Sequence, residues 1–246
     1  LSFSLTNDQL NSLKQINKDL SSPTKMFRLL QGDVGSGKTI IALLSAYNTI
    51  NSNYQVAFMA PTEILARQHY NLAKTIYPKN IIVELISGKS DYKDKKIILD
   101  KLENNKIDVI FGTHAIFQKK VNYKKLGLII IDEQHKFGVN QRKRLSDKGG
   151  DDCDVLLMTA TPIPRTLNLA LGGLRDLSVI STPPAKRLSI KTFIREHNVG
   201  LVKEAILRET LRGGQVYYLH NEVKTIEETA RKLSELVPEL SFGIAH

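Results

Sequence analysis

No stretch of this chain approaches the roughly 20 consecutive apolar residues needed to cross a bilayer, and its opening, Leu1-Ser-Phe-Ser-Leu5, has no basic segment leading into a long apolar one. The sequence therefore predicts no membrane association, and a cytoplasmic location by default. Cysteine is nearly absent. The one present, Cys153, stands between Asp152 and Asp154 and has no partner for a disulfide or a cysteine metal cluster. We read it as an unpaired thiol without a role. Acidic residues are scarce relative to basic ones, 25 against 35, which leaves a formal net charge of +10 and a pI near 9.5. Such an excess favours polyanionic partners such as DNA or RNA, and it equally describes a merely basic soluble surface. The remainder is ordinary for a globular protein. Its 246 residues are 41% hydrophobic and 24% charged, enough for one full core and part of another.

The most informative stretch is Gly32, Asp33, Val34, Gly35, Ser36, Gly37, Lys38 and Thr39, which reads G-x-x-x-x-G-K-T. It follows the apolar run that begins at Phe27 and precedes another that begins at Ile40, so a buried strand passes through a glycine turn into a helix. This is the setting of a phosphate-binding loop. Glycines let successive N–H groups point inward, and the helix starting near Lys38 adds its positive end. Lys38 can reach the β and γ phosphates of ATP, and the Thr39 hydroxyl can bind the Mg²⁺ that bridges them.

Upstream, residues 4–19 read as an amphipathic helix with Leu10, Leu13 and Ile16 at helical spacing. Gln9 lies in it. Its amide both donates and accepts and could read an adenine edge, although on the residues alone a solvated polar side chain is the plainer expectation. Downstream, apolar segments and helical patterns alternate as in a parallel α/β sheet. We expect strands at 55–59, 82–86, 108–111, 128–131, 155–158 and 177–180, with helices at 63–76, 91–104 and 166–171. The fold class is thus α/β, a phosphate-loop nucleotide hydrolase with a parallel sheet flanked by helices. Residues 182–189 read as a linker, dividing a first domain (1–181) from a second α/β stretch (190–246). There the sequence predicts strands at 190–194, 215–219 and 241–244 and helices at 199–212 and 226–236.

A second chemical motif closes the aliphatic strand at 128–131: Asp132, Glu133, Gln134 and His135. Carboxylates at the C-terminal edge of a parallel sheet stand where such sheets bind ligands. Beside a phosphate loop, Asp132 is assigned to Mg²⁺ and Glu133 to orienting and deprotonating the attacking water. The alternative is an acidic helix cap.

Taken together, these motifs resemble superfamily 2 nucleic-acid helicases, in particular the branch formed by RecG and the transcription-repair coupling factor Mfd. The resemblance is carried by residues 30–39, 60–69, 112–114, 132–138 and 158–165, and it covers essentially the whole chain. Up to about Leu167 the wording is closer to RecG; from Asn168 onward it is closer to Mfd, as in an intermediate family member or a hybrid. The resemblance implies two RecA-like lobes, the second incomplete over 190–246, that bind ATP between them and step along double-stranded or branched DNA in repair or recombination. It implies Gln9 as an adenine reader, Thr62, Arg67 and Thr113 near the DNA backbone, and Thr159 and Thr161 coupling nucleotide to DNA with His135 as relay. RNA polymerase is implied as a partner through modules outside these residues.

The later motifs of the second lobe, including an arginine aimed at the γ-phosphate, do not occur before His246. Such an arginine contributes about 10³–10⁵ in rate, so this stretch alone is expected to bind nucleotide and turn it over weakly. Two rival readings are a nucleotide-gated DNA-binding module without efficient turnover and a phosphate-loop enzyme acting on a small molecule.

Overall fold

The computed structural model of the chain describes residues 3–88, 92–118, 120–133, 153–161, 176–182 and 191–245. Its contacts divide it into two units, Leu1–Arg187 and Leu188–His246. His135, the helix expected at 166–171 and most of the linker lie outside the described residues.

The first unit begins with α1 (Asn7–Leu20), set by a capping box. The Thr6 hydroxyl accepts from the Gln9 N–H, and the Gln9 side chain accepts from the Thr6 N–H. The buried stripe of α1 is Gln9, Ser12 and Ile16, whereas Leu10 is 41% exposed, so the inward face is more polar than the leucine spacing predicts.

Then follow β1 (Phe27–Gly32), α2 (Lys38–Asn51), β2 (Gln55–Met59), α3 (Glu63–Ile76), β3 (Val83–Ile86), α4 (Tyr92–Glu103), β4 (Val109–Gly112), a 3-10 turn (His114–Phe117), β5 (Leu126–Ile131), β6 (Asp154–Thr159) and β7 (Asp176–Ile180). The seven strands form one sheet in the order β3-β4-β2-β5-β6-β1-β7, and every pairing is parallel. Parallel sheets are covered on both faces, which is why β2 and β4 are buried at every residue.

Successive residues alternate between two cores with the period of a strand. Leu30, Phe58, Ile130 and Met158 pack with Ile16 of α1 and Ile41 of α2. Leu29, Ala57, Ile129 and Leu157 face the opposite side with Leu102 of α4 and Ile116. Each enclosed Leu, Ile or Phe contributes about 1.5–3 kcal/mol. Because all strands are parallel, the residues that follow β1, β2, β4, β5, β6 and β7 emerge at one edge, where residues 32–39, Thr62, Thr113, Asp132, Glu133, Thr159 and Thr161 lie, with Arg67 on a helix leaving it.

A buried polar network fixes α1 to the sheet. The Arg28 guanidinium on β1 donates to Asp19 at 2.7 Å and to the Ser178 hydroxyl at 2.9 Å, and Ser178 donates to Gln15 at 2.5 Å. Removing one member of such a buried charged group costs about 3–5 kcal/mol.

The second unit contains α5 (Val199–Leu211), a 3-10 turn (Val223–Thr225) and α6 (Ile226–Leu236). Asn198 caps α5 by accepting from the Gly200 and Leu201 N–H groups. Both expected helices are present, but none of the three expected strands is: among the described residues, 191–194, 215–219 and 241–244 form no ladder. Alternating apolar residues make a strand only when a neighbour takes up the backbone N–H and C=O groups. Here Val216, Tyr218 and Phe242 instead border a cleft of about 650 Å³ with Ile206 of α5 and Leu233 of α6.

Candidate nucleotide site

The loop after β1 has the backbone its glycines predict. Gly35 and Gly37 take φ of +79° and +92°, conformations that side-chain-bearing residues adopt at a cost of about 1–2 kcal/mol. Gly37 caps α2, whose first turn carries no acidic residue to offset the positive end of the helix. Val34 stands out at 73% exposure and Asp33 is also exposed, while Thr39 is half-buried in the first turn of α2. Lys38 is buried, and its ammonium donates to the Gly32 carbonyl at 2.5 Å and the Asp33 carbonyl at 2.9 Å. The cation is thus folded across the loop that it serves.

Gln9 is not the solvated residue that the plainer expectation described. It is 4% exposed, and its Nε2 donates to the Ser36 carbonyl at 2.7 Å, while its Oε1 serves the capping box. A side chain at Gly37 would collide with this amide. Gln9 therefore shapes the loop from beneath. Its neighbour Asp8 accepts from the Ser181 N–H at 3.0 Å, the Thr182 N–H at 2.9 Å and the Thr182 hydroxyl at 2.8 Å, just past β7. Those donors, the Thr182 hydroxyl first, hold the Asp8 carboxyl below its ordinary pKa.

Across the sheet edge, β6 separates β1 from β5, and Asp132 and Glu133 follow β5. Asp132 is buried, its N–H donates to the Met59 carbonyl at 2.9 Å, and its Oδ2 accepts from His69 Nε2 at 2.8 Å. Glu133 has φ +53°, a left-handed backbone unusual for glutamate and of the kind found at functional turns. Thr159, at the end of β6, is 1% exposed and accepts from the Thr161 N–H at 3.1 Å, forming a tight turn between the loop and the acidic pair. Thr161 itself is exposed.

Of the remaining expected residues, Thr62 caps α3 by accepting from the Leu65 N–H. Arg67, one to two turns on, is over half exposed and pairs with Glu63 at 3.8 Å. Thr113 precedes the 3-10 turn with no side-chain capping bond. All three lie along the β2 and β4 side of the same edge. His69 was given no role from sequence. The signal available was a histidine on the buried stripe of α3 between Ala66 and Ala73, whose small side chains leave room for a ring.

The residues present suit a metal-bound nucleotide. Ser36 Oγ is buried in the loop with no protein partner among the described residues, the orphaned hydroxyl of a loop built for an outside ligand. Thr39 and Asp132 supply hard oxygen donors of the type Mg²⁺ takes. Among the described residues, no group of three or more His, Cys, Asp or Glu could hold a metal unaided, so this pair would need oxygens from a ligand. No helix among them is long and apolar enough to cross a membrane.

Residues 6–170 match the DEAD/DEAH box helicase family. The chain is 48% identical over 245 residues to the transcription-repair-coupling factor of Haemophilus influenzae, covering 99% of this chain and 21% of that protein. To the ATP-dependent DNA helicase RecG of Borreliella burgdorferi it is 46% identical, covering all of this chain and 37% of that one. The fold matches the structure of RecG bound to a three-way DNA junction with a TM-score of 0.83 and 40% identity, over 96% of this chain and 32% of the other. The chain thus spans a fifth to about a third of the length of these relatives. The near-equal identities favour neither kind of relative over the other.

Proposed function

We propose, because this chain belongs to the DEAD/DEAH box helicase family, that its first unit binds ATP with Mg²⁺ and that the chain is a motor portion of an ATP-dependent DNA helicase or double-stranded DNA translocase working in repair or recombination. The observation that carries the reading is the convergence of the phosphate loop, Thr159 and the Asp132-Glu133 pair on one edge of a parallel sheet. In this reading the N–H groups of residues 35–39 hold the phosphates, and Lys38 exchanges its two carbonyl partners for phosphate oxygens. Thr39 and Asp132 hold the metal, which when bound offsets charge developing on the β and γ phosphates. Glu133 aligns the attacking water and accepts its proton. Gln9 reads the adenine by exchanging its bonds to Ser36 and Thr6 for the base edge.

DNA is taken as the partner on two grounds: the relatives include a RecG bound to a DNA junction, and the charge is +10. Thr62, Arg67 and Thr113 form the backbone-facing side, and His135 relays between the two ligands. The second unit is assigned as the beginning of the second RecA-like lobe, the linker spanning 182–189.

The test is Lys38→Ala, assayed by binding of a fluorescent ATP analogue and by phosphate release with and without duplex DNA. The expected result is loss of tight nucleotide binding and of any DNA-stimulated release; unchanged turnover would refute the assignment. Tight binding and nucleotide-dependent DNA affinity without release would favour the gated binding module.

A further inference from the structure

The mechanism above leaves His69 unused. It is 6% exposed and sits in the second turn of α3. Its ring packs on Phe58, centroids 5.0 Å apart and planes inclined by 43°, and its Nε2 contacts Asp132 Oδ2 at 2.8 Å. An ionised carboxylate only accepts, so in that state the Nε2 carries the hydrogen. The bond is long-range in sequence, joining a helix residue to a strand-end residue 63 positions away. A buried carboxylate left to itself could rotate, presenting either oxygen to the sheet edge. With Oδ2 held by a ring that is itself packed on Phe58, the oxygen turned away from His69 is Oδ1. Groups of this kind, behind a ligand, commonly tune metal affinity by fixing ligand orientation.

We infer that His69 is a positioning residue for the metal carboxylate: it selects the oxygen of Asp132 that meets Mg²⁺. Through it, the metal site is tied to helix α3. That helix starts at the Thr62 cap and carries Arg67, so two of the three residues assigned to the DNA backbone and the residue that orients the metal ligand share one rigid element. A shift of α3 along the sheet is carried to Asp132 by a single hydrogen bond rather than through the loops. The inference rests on the nucleotide reading given above and adds a residue to it.

The test compares His69→Phe, which keeps an aromatic ring on Phe58 and loses the donor, with His69→Gln, whose amide can donate from nearly the same place. A fluorescent ATP analogue is titrated first in EDTA and then with increasing Mg²⁺. Binding in EDTA reports the phosphate loop; failure there in the unaltered protein refutes the nucleotide reading itself. The expected result for His69→Phe is unchanged binding in EDTA and a Mg²⁺ half-saturation raised about 10- to 100-fold, with most of that loss restored in His69→Gln. An unaltered Mg²⁺ requirement in His69→Phe overturns the inference, as does equal impairment of both variants. A measurement on the unaltered protein is independent of whether the variants fold: in ¹⁵N spectra of the histidine rings, Mg²⁺ added to the nucleotide complex should move the His69 Nε2 signal and leave those of His197 and His220 in place. A His69 signal indifferent to Mg²⁺ overturns the inference.

Discussion

Phe58 and Tyr217 each sit inside a five-residue segment expected to be a strand, a glutamine followed by four apolar residues, yet Phe58 has no exposed surface and Tyr217 is 97% exposed. The difference is made by neighbours. β2 has a hydrogen-bonded strand on each side, β4 and β5, and a helix layer over it, whereas residues 215–219 have no ladder among the described residues. Of the buried hydrophobic residues, the second unit contributes Ile206 and Val237; all the others belong to the first. Patterning specifies which side of an element is apolar, and a second layer is required before that side is removed from water. A unit with two α-helices and no sheet among its described residues leaves Ile194, Leu211 and Leu219 more than 85% exposed.

The widest expected gap between the units is in truncation to alanine. Phe58→Ala should lower stability by about 3–5 kcal/mol, while Tyr217→Ala should fall within about 0.5 kcal/mol of the unaltered chain. Urea unfolding followed by circular dichroism measures both, and comparable losses would break the contrast.

A narrower test uses two glycines with nearly the same backbone, Gly37 at φ +92° and Gly213 at φ +81°. Nothing lies within 4 Å of a Cβ added at Gly213, whereas one at Gly37 meets Gln9. Gly213→Ala should cost only the backbone strain, about 1–2 kcal/mol. Gly37→Ala should cost more and also abolish nucleotide binding, as measured by melting temperature and fluorescence titration.

The helix caps come next, one in each unit. Thr6→Ala and Asn198→Ala should each cost about 1 kcal/mol, but only the first should weaken nucleotide binding, because it also loosens Gln9. Smallest of all is a pH effect. Hydrogen bonds hold the Asp8 carboxyl below its model-peptide value of 3.8. Its grip on Ser181 and Thr182 is therefore present above 3.8 and is lost only as pH falls through the lower folded-state value. An NMR titration of the Asp8 carboxyl should show a midpoint below 3.8. In the second unit the counterpart is Glu228, whose carboxyl the Lys232 ammonium one turn on likewise holds below its ordinary value.

Much of the first unit was legible because local and global signals agree there. The strand that carries Asp132 was readable as an unbroken aliphatic run and β1 as an apolar one broken by Arg28, and the candidate site was assigned from the spacing of the phosphate loop and the acidic pair. The order of strands was not readable, since β1 lies between β6 and β7 through crossovers whose destinations leave no mark on the intervening residues. Gln9 was visible as a residue but not as a buried one, because the bonds that bury it are made with Ser36, 27 positions on. His69 was visible as a histidine on the buried stripe of α3, but its role was not, for the same reason: its partner is set by sheet topology. The strands expected after residue 190 were the opposite failure, local alternation with no ladder to complete it. Cys153 proved to be part of the second core face, where burial pushes its thiol up to about 12.

The grip of Asp8 on Ser181 and Thr182 has a mechanical meaning. Tension entering the chain just beyond Thr182 would first meet these three hydrogen bonds, and only afterwards the β7 ladder. Asp8 is one residue from Gln9, which holds Ser36 of the phosphate loop. A pull at the exit of the first unit is thereby geared to the floor of the nucleotide cradle across two adjacent residues of α1, with no element of the sheet in the line of force.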